Sequence, residues 1–105
     1  PQRPESTPMG LEIADIRIQP GQQAAFEAAI RQAMATVIPR AQGFVGATLH
    51  QGIESPERYV LQVRWQTLED HTRGFRESPL FAEWRGLIGP FFAAPPQVEH
   101  FESLI

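Results

Sequence analysis

The stretch that decides the fold is residues 59–81, YVLQVRWQTLEDHTRGFRESPLF. Its first part alternates apolar and polar side chains, which is typical of a half-buried strand, and it ends on Trp65. A helix start follows at once, because Thr67 and Asp70 approximate a capping box. One turn into that helix, on its apolar side, lies His71. This order predicts an aromatic strand end beside a helical imidazole, a pairing that can wall a cavity and place one proton-transfer group in it.

The elements around this stretch predict an α+β domain with the order β-α-β-β-α-β. The second helix is divided in two, because Gly74 weakens it and Ser78-Pro79 restarts it. This order is that of a ferredoxin-like split βαβ fold, a four-stranded sheet with helices on one face. Residues 1–9 are predicted to be a disordered leader, and residues 10–105 the domain. Strands are predicted over 11–18, 44–51, 58–65 and 98–105, with the first helix over 22–37.

Composition removes several classes of function. The chain has 105 residues, enough for one domain, and its net charge of −3 comes without a basic stripe, so we expect no nucleic-acid partner. No apolar run approaches the length of a membrane span. Cysteine and lysine are both absent, which excludes thiol and Schiff-base chemistry. The three histidines share no metal-binding spacing, so we expect no metal site, and a cytoplasmic location is the default.

The predicted sheet has apolar residues on both of its faces, although helices cover only one. Ala14, Ile16 and Val60 are the residues for which the sequence predicts a missing cover. An exposed apolar sheet of this extent indicates a partner, and a twofold homodimer that packs sheet on sheet is the simplest solution.

Several segments in the same order and spacing resemble one known family. The chain is similar to the antibiotic biosynthesis monooxygenase (ABM) domain family of the dimeric α/β-barrel superfamily, from Leu11 to about Leu104. The segments that carry the resemblance are residues 18–21 with Phe26, Gly43-Phe44, Glu54 and Pro56 before Tyr59, Trp65 with Glu69-Asp70-His71, residues 74–81, and residues 98–101.

The resemblance implies a half of a dimeric barrel that oxidises a small aromatic or quinol-type compound with O₂ and no cofactor. In such enzymes the protein helps to remove a proton from a phenol-like substrate, and the anion then reduces O₂. Carried onto this sequence, the resemblance implies His71 and Trp65 as catalytic residues, with His71 as the base. The implied substrate-binding residues are Tyr59, Phe75, Phe81, Trp84 and Arg85.

Other interpretations stay open at this point. The haem-degrading branch of the superfamily uses an asparagine and a histidine ten residues after the tryptophan; here the chain has no asparagine, and that position is Phe75. The protein can also be a non-catalytic dimeric small-molecule-binding or stress-related α/β-barrel protein, with His71 a structural residue. His100 is expected at the dimer interface or paired with a carboxylate, and Asp15 in a structural salt bridge.

Overall fold

A computed structural model describes residues 9–105 and shows one four-stranded antiparallel sheet with helices on one face. Its central strands are β1 (Gly10–Arg17) and β3 (Arg58–Trp65), flanked by β2 (Phe44–Gln51) and β4 (Gln97–Phe101) in the order β2-β3-β1-β4. The leader was predicted over residues 1–9, and residues 1–8 lie outside the described part of the chain. Across residues 9–105, no helix has the length and apolarity that crossing a membrane requires.

β3 has its alternate residues buried against the helices, as its alternation predicts. Tyr59, Leu61, Val63 and Trp65 are each at most 2% exposed. β2 and β3 pair as an antiparallel hairpin, but a β-bulge interrupts the register between Phe44 and Gly46. The extra residue of the bulge shifts the side-chain parity, so Val45 is exposed although it is two residues before Ala47 in the alternating run.

β1 pairs with both of its neighbours in one continuous register, so it contains no bulge. Its apolar residues, which occupy both odd and even positions, therefore form two apolar faces. Ala14 and Ile16 are 4% and 2% exposed, because they face the helices of the same chain. The expectation that these two residues lack a cover is therefore wrong. The apolar residues on the opposite, open face of the two central strands are Leu11, Ile13 and Val60.

The helical layer consists of two α-helices and shorter turns. These are α1 (Gln23–Thr36), a 3₁₀ turn (Ile38–Arg40), a π-helical turn (Asp70–Phe75), α2 (Pro79–Ile88) and a second 3₁₀ turn (Gly89–Phe91). The division of the second helix is confirmed, since α2 begins at Pro79 and the π-helical turn precedes it. The core lies between this layer and the sheet, with Phe26, Ile30 and Ala33 of α1 fully buried.

Candidate functional site

A cavity of about 640 Å³ opens between the sheet and the segment from the π-helical turn to β4. This volume is in the range of small-molecule sites. Its wall is mostly apolar and aromatic, and four side chains in it can carry charge. The lining residues used below are the charged or titratable Glu12, His71, Arg76 and Arg85, and the apolar Phe75, Phe81, Trp84, Phe92 and Val98.

A buried carboxylate forms part of the cavity wall. Glu12 lies on the inner face of β1, before Ala14 and Ile16, and is 7% exposed. Its Oε1 accepts a hydrogen bond of 3.0 Å from the indole Nε1 of Trp65 and lies 3.3 Å from Nε2 of His71. The carboxylate therefore joins the strand-end tryptophan and the helical histidine.

The imidazole of His71 has a partner at each nitrogen. Its Nδ1 lies 2.8 Å from Nε2 of His100 on β4, while its Nε2 faces Glu12. The ring stacks on Trp65, with the ring centroids 5.3 Å apart and the planes 19° apart. Residues of three strands, β1, β3 and β4, thus contact this one histidine, which is only 3% exposed.

The donors and acceptors of this cluster can be assigned from their chemistry. An indole nitrogen only donates, so Oε1 of Glu12 must accept from Trp65. When Glu12 is ionised, its charge favours a hydrogen on Nε2 of His71, which lies 3.3 Å from Oε1. In a neutral imidazole the other nitrogen then accepts, so His100 Nε2–H donates to His71 Nδ1. In both hydrogen bonds and in the His71–Glu12 contact, the group that carries the hydrogen is thus the one farther from the carboxylate.

Burial sets the electrostatics of the cluster, because a low-dielectric surrounding disfavours charge. Burial raises the pKa of Glu12, partly offset by the hydrogen bond from Trp65 and by the charge of Arg76. Burial, the guanidinium of Arg76 and the ring of His100 lower the pKa of His71 to about 3. Burial and Arg76 also lower the pKa of His100. His71 is therefore neutral near pH 7.

Local sequence explains how His71 reaches this position. The capping box is confirmed: Asp70 N–H donates to Thr67 Oγ1 at 3.1 Å, and Thr67 N–H donates to Asp70 Oδ2 at 3.2 Å. Asp70 also lies against Gly43, which has φ +84°, and a Cβ at Gly43 would come within 2.0 Å of the Asp70 carboxylate. Glycine is thus required there both for its backbone angle and for space.

The structure places most of the predicted site residues together. His71, Phe75, Phe81, Trp84 and Arg85 all line the cavity. The guanidinium of Arg85 lies over the Phe81 ring, 5.8 Å from its centroid.

Two predicted residues lie elsewhere. Trp65 is fully buried and does not line the cavity; it contacts the site by stacking on His71 and by donating a hydrogen bond to Glu12. Tyr59 is 1% exposed, does not line the cavity, and donates its hydroxyl to Glu27 at 2.6 Å. Tyr59 therefore belongs to the core, contrary to its implied role in substrate binding. Burial and Glu27 raise the pKa of Tyr59.

Sequence reasoning missed Glu12 and Arg76 and misplaced His100. His100 shares the inner face of β4 with Val98, which lines the cavity, so its side chain points away from the open sheet face. The signal for Glu12 was a carboxylate in phase with Ala14 and Ile16. The salt bridge of Asp15 is confirmed: its Oδ2 lies 2.8 Å from Nη2 of Arg58.

Within residues 9–105, no group of three or more histidine, aspartate or glutamate side chains is placed so that it could hold a metal ion. The site consists instead of a carboxylate, an imidazole pair and two arginines around an aromatic cavity.

Comparison with known proteins shows the family of this chain. The sequence profile of the family described as antibiotic biosynthesis monooxygenase matches residues 9–87. This chain belongs to the antibiotic biosynthesis monooxygenase family. Its resemblance to that family and its α+β, ferredoxin-like fold are thereby confirmed.

Relatives of this ABM protein cover almost its whole length. The Bacillus subtilis protein YczJ is 41% identical over 96 residues, which are 91% of this chain and 100% of YczJ. A candidate antibiotic biosynthesis monooxygenase of Bordetella bronchiseptica is 47% identical, with a TM-score of 0.88 over 93% of this chain and 99% of that one. SnoaB of Streptomyces nogalater, a cofactor-independent oxygenase, shares the fold at 18% identity, with a TM-score of 0.78 over 93% and 95% of the two chains.

Proposed function

We propose that this ABM protein is a small cofactor-independent monooxygenase that oxidises an aromatic or quinol-type compound with O₂. The observation that carries the proposal is the cavity, which combines an aromatic wall with the buried Glu12–His71 pair. Perturbed titratable groups in a cleft are typical of sites that move protons. The description of SnoaB as a cofactor-independent oxygenase supports the same class of reaction.

The reaction begins with loss of the hydroxyl proton of a phenol or hydroquinone to the Glu12–His71 pair. The phenolate is a far better electron donor than the phenol, so it can reduce O₂. One oxygen atom then bonds to the ring at a C–H position, and the other leaves as water with the two hydrogens that the substrate loses. A phenol plus O₂ thus gives a quinone plus water, and atoms and electrons balance without a further reductant.

The rest of the wall suits an anion that must be kept from bulk water. Phe75, Phe81 and Trp84 supply flat apolar surface for a ring. Arg76 and Arg85 bring positive charge to the same cavity, where an anion forms when the proton leaves. Within residues 9–105, neither guanidinium lies within 4.0 Å of a carboxylate, so both are available to a ligand.

Oxygen uptake with a panel of hydroquinones tests the proposal. We expect the protein to consume one O₂ for each quinone formed, and His71→Ala to be slower by roughly 100-fold, the usual effect of disabling a general base, because the Glu12–His71 pair then lacks one member. His50→Ala is the matched control, because His50 is exposed on β2. Uptake by His71→Ala at the parental rate would show that His71 has no role.

A second candidate is a dimeric binding protein without turnover. The observation that favours it is that both nitrogens of His71 already contact protein groups. This candidate predicts that hydroquinones quench the fluorescence of Trp84 on binding, while no O₂ is consumed.

We also propose that the protein is a homodimer through the open sheet face. The support is the apolar surface that Leu11, Ile13 and Val60 form on the two central strands, opposite the helices. A second copy of the same face would cover it by a twofold axis.

A further inference from the structure

Glu12 is the proton-accepting group of the cavity wall that has one oxygen outside its two polar contacts with the protein. Both of its polar contacts within residues 9–105, from Trp65 and His71, are made to Oε1. The residue itself lines the cavity. Oε2 is therefore the carboxylate oxygen that a bound hydroxyl can approach.

His71 is differently placed, although it lines the same cavity. Its Nε2 is directed at Glu12, and its Nδ1 is 2.8 Å from His100. A substrate hydroxyl that bonded to Nδ1 would have to displace His100, and one that approached Nε2 would have to compete with the carboxylate of Glu12. Both ring nitrogens of His71 therefore already have protein neighbours.

We propose that Glu12 takes the substrate proton, and that His100 and His71 are positioning residues that hold its carboxylate through a one-way chain of polar contacts. This inference rests on the proposed function and assigns the roles within the same site. The chain runs from His100 Nε2–H to His71 Nδ1, and from His71 Nε2–H to Glu12 Oε1, where the indole N–H of Trp65 donates a hydrogen bond.

The proton transfer is balanced within the site. The O–H bond of the substrate breaks, a bond forms between that hydrogen and Oε2 of Glu12, and the negative charge moves from the carboxylate to the substrate oxygen. Neither the hydrogen bond from Trp65 to Oε1 nor the contact of Oε1 with His71 has to break. No buried cation is formed, whereas proton uptake by His71 would create an imidazolium in a buried position.

The charges around the carboxylate agree with this assignment. The groups that face Glu12 are His71 from the π-helical turn, His100 behind it on β4, the indole of Trp65 from β3, and the positive charge of Arg76. Arg76 favours an anion in the cavity before and after transfer, because the total charge does not change. His100 acts through His71, since it does not line the cavity.

Nuclear magnetic resonance of the full chain tests this chain of contacts without any substrate. Long-range ¹H–¹⁵N correlation at pH 7 should show His71 and His100 both neutral and both in the Nε2–H tautomer. Glu12→Gln should keep these tautomers, because the amide oxygen can face the same two N–H groups. A protonated His71, or an Nδ1–H tautomer of His71 in the parent protein, would overturn the proposal.

Oxygen uptake then tests the roles. We expect Glu12→Gln to lower kcat by about 100-fold or more, as loss of a general base does. His100→Phe should lower it by a smaller factor and mix the tautomers of His71, and His100→Gln, which retains an N–H donor, should restore much of both. Glu27→Gln is the matched control, because Glu27 also accepts a hydrogen bond from an aromatic side chain but lies outside the cavity.

Failure of the inference and failure of the proposed function look different. A parent protein that consumes O₂ together with an equally active Glu12→Gln overturns the role of Glu12 and leaves the function standing. A parent protein that consumes no O₂ with any hydroquinone overturns the function, and the role of Glu12 as substrate base with it, even if the tautomers are as expected.

Discussion

Buried neutral His71 should make this protein lose stability in mild acid. In the folded chain the pKa of His71 is about 3, against an ordinary value of 6.5 that applies after unfolding. Between these two values the unfolded chain binds a proton at this residue and the folded chain does not. The free energy of unfolding must therefore fall as the pH falls from about 6.5 toward about 3.

The size of the effect follows from the same two values. One pKa unit corresponds to about 1.4 kcal/mol, and pH 5 lies about 1.5 units below the ordinary value, so His71 should cost about 2 kcal/mol between pH 7 and pH 5. Glu12 acts in the opposite direction, because its raised pKa makes the folded chain take up a proton first as the pH falls. That contribution remains when His71 is replaced.

The contribution of His71 can be isolated by urea denaturation of the parent protein and of His71→Gln. Both proteins are measured at pH 7 and at pH 5, at one protein concentration. We expect the variant to be less stable at pH 7 but to lose about 2 kcal/mol less on acidification. His50→Gln should retain the parental loss, since His50 is exposed on β2. Equal losses in the parent protein and His71→Gln would refute the claim that a buried neutral imidazole sits beside Glu12.

Three other predictions concern the scaffold. In urea denaturation, Gly43→Ala should lower the free energy of unfolding by at least about 1 kcal/mol more than Gly21→Ala. Both glycines have positive φ, but only Gly43 lacks space for a Cβ, because Asp70 of the capping box lies against it. Equal losses would contradict this role of the capping box. Val60→Glu should lower the mass measured by light scattering, while Ile53→Glu, on a 91% exposed turn residue, should not; an unchanged mass for the Val60 variant argues against the dimer. Tyr59→Phe should cost roughly 1 kcal/mol of stability yet leave hydroquinone affinity unchanged, and weaker binding would place the residue at the site.

Local patterns were sufficient for the central part of the fold. The bounds of β2 and β3 coincide with their predicted ranges, because alternation with period 2 is strong in both and a short turn joins them. The exposure of Val45 could not be predicted, because a β-bulge shifts parity without any change in composition. β4 ends at Phe101 and not at residue 105; within residues 9–105 its last pair is Phe101 with Leu11, near the start of β1.

The candidate site was predicted only where one segment contained the signal. His71, Phe75 and Phe81 follow the third strand within a few helical turns, so their common side could be inferred from spacing. Glu12 and His100 lie far from them in sequence and join them through strand pairing, as the register places Glu12 opposite His100. A single sequence contains no such cross-strand information about β1 and β4.

The buried carboxylate of Glu12 also distinguishes a functional role of its cluster with Trp65, His71 and His100 from a structural role. A buried indole N–H requires an acceptor, and a main-chain carbonyl or an amide would have served Trp65 without the cost of burying a charge. Glu12 satisfies that donor with Oε1, whereas neither of its two polar contacts within residues 9–105 is made to Oε2, and the residue lines the cavity. A core that only needed stability would gain from glutamine at this position, which keeps an acceptor for Trp65 without a charge, so Glu12→Gln should leave the free energy of unfolding unchanged or raise it. If the variant is both more stable and inactive, the carboxylate is retained for chemistry; if it is markedly less stable, the carboxylate serves the core.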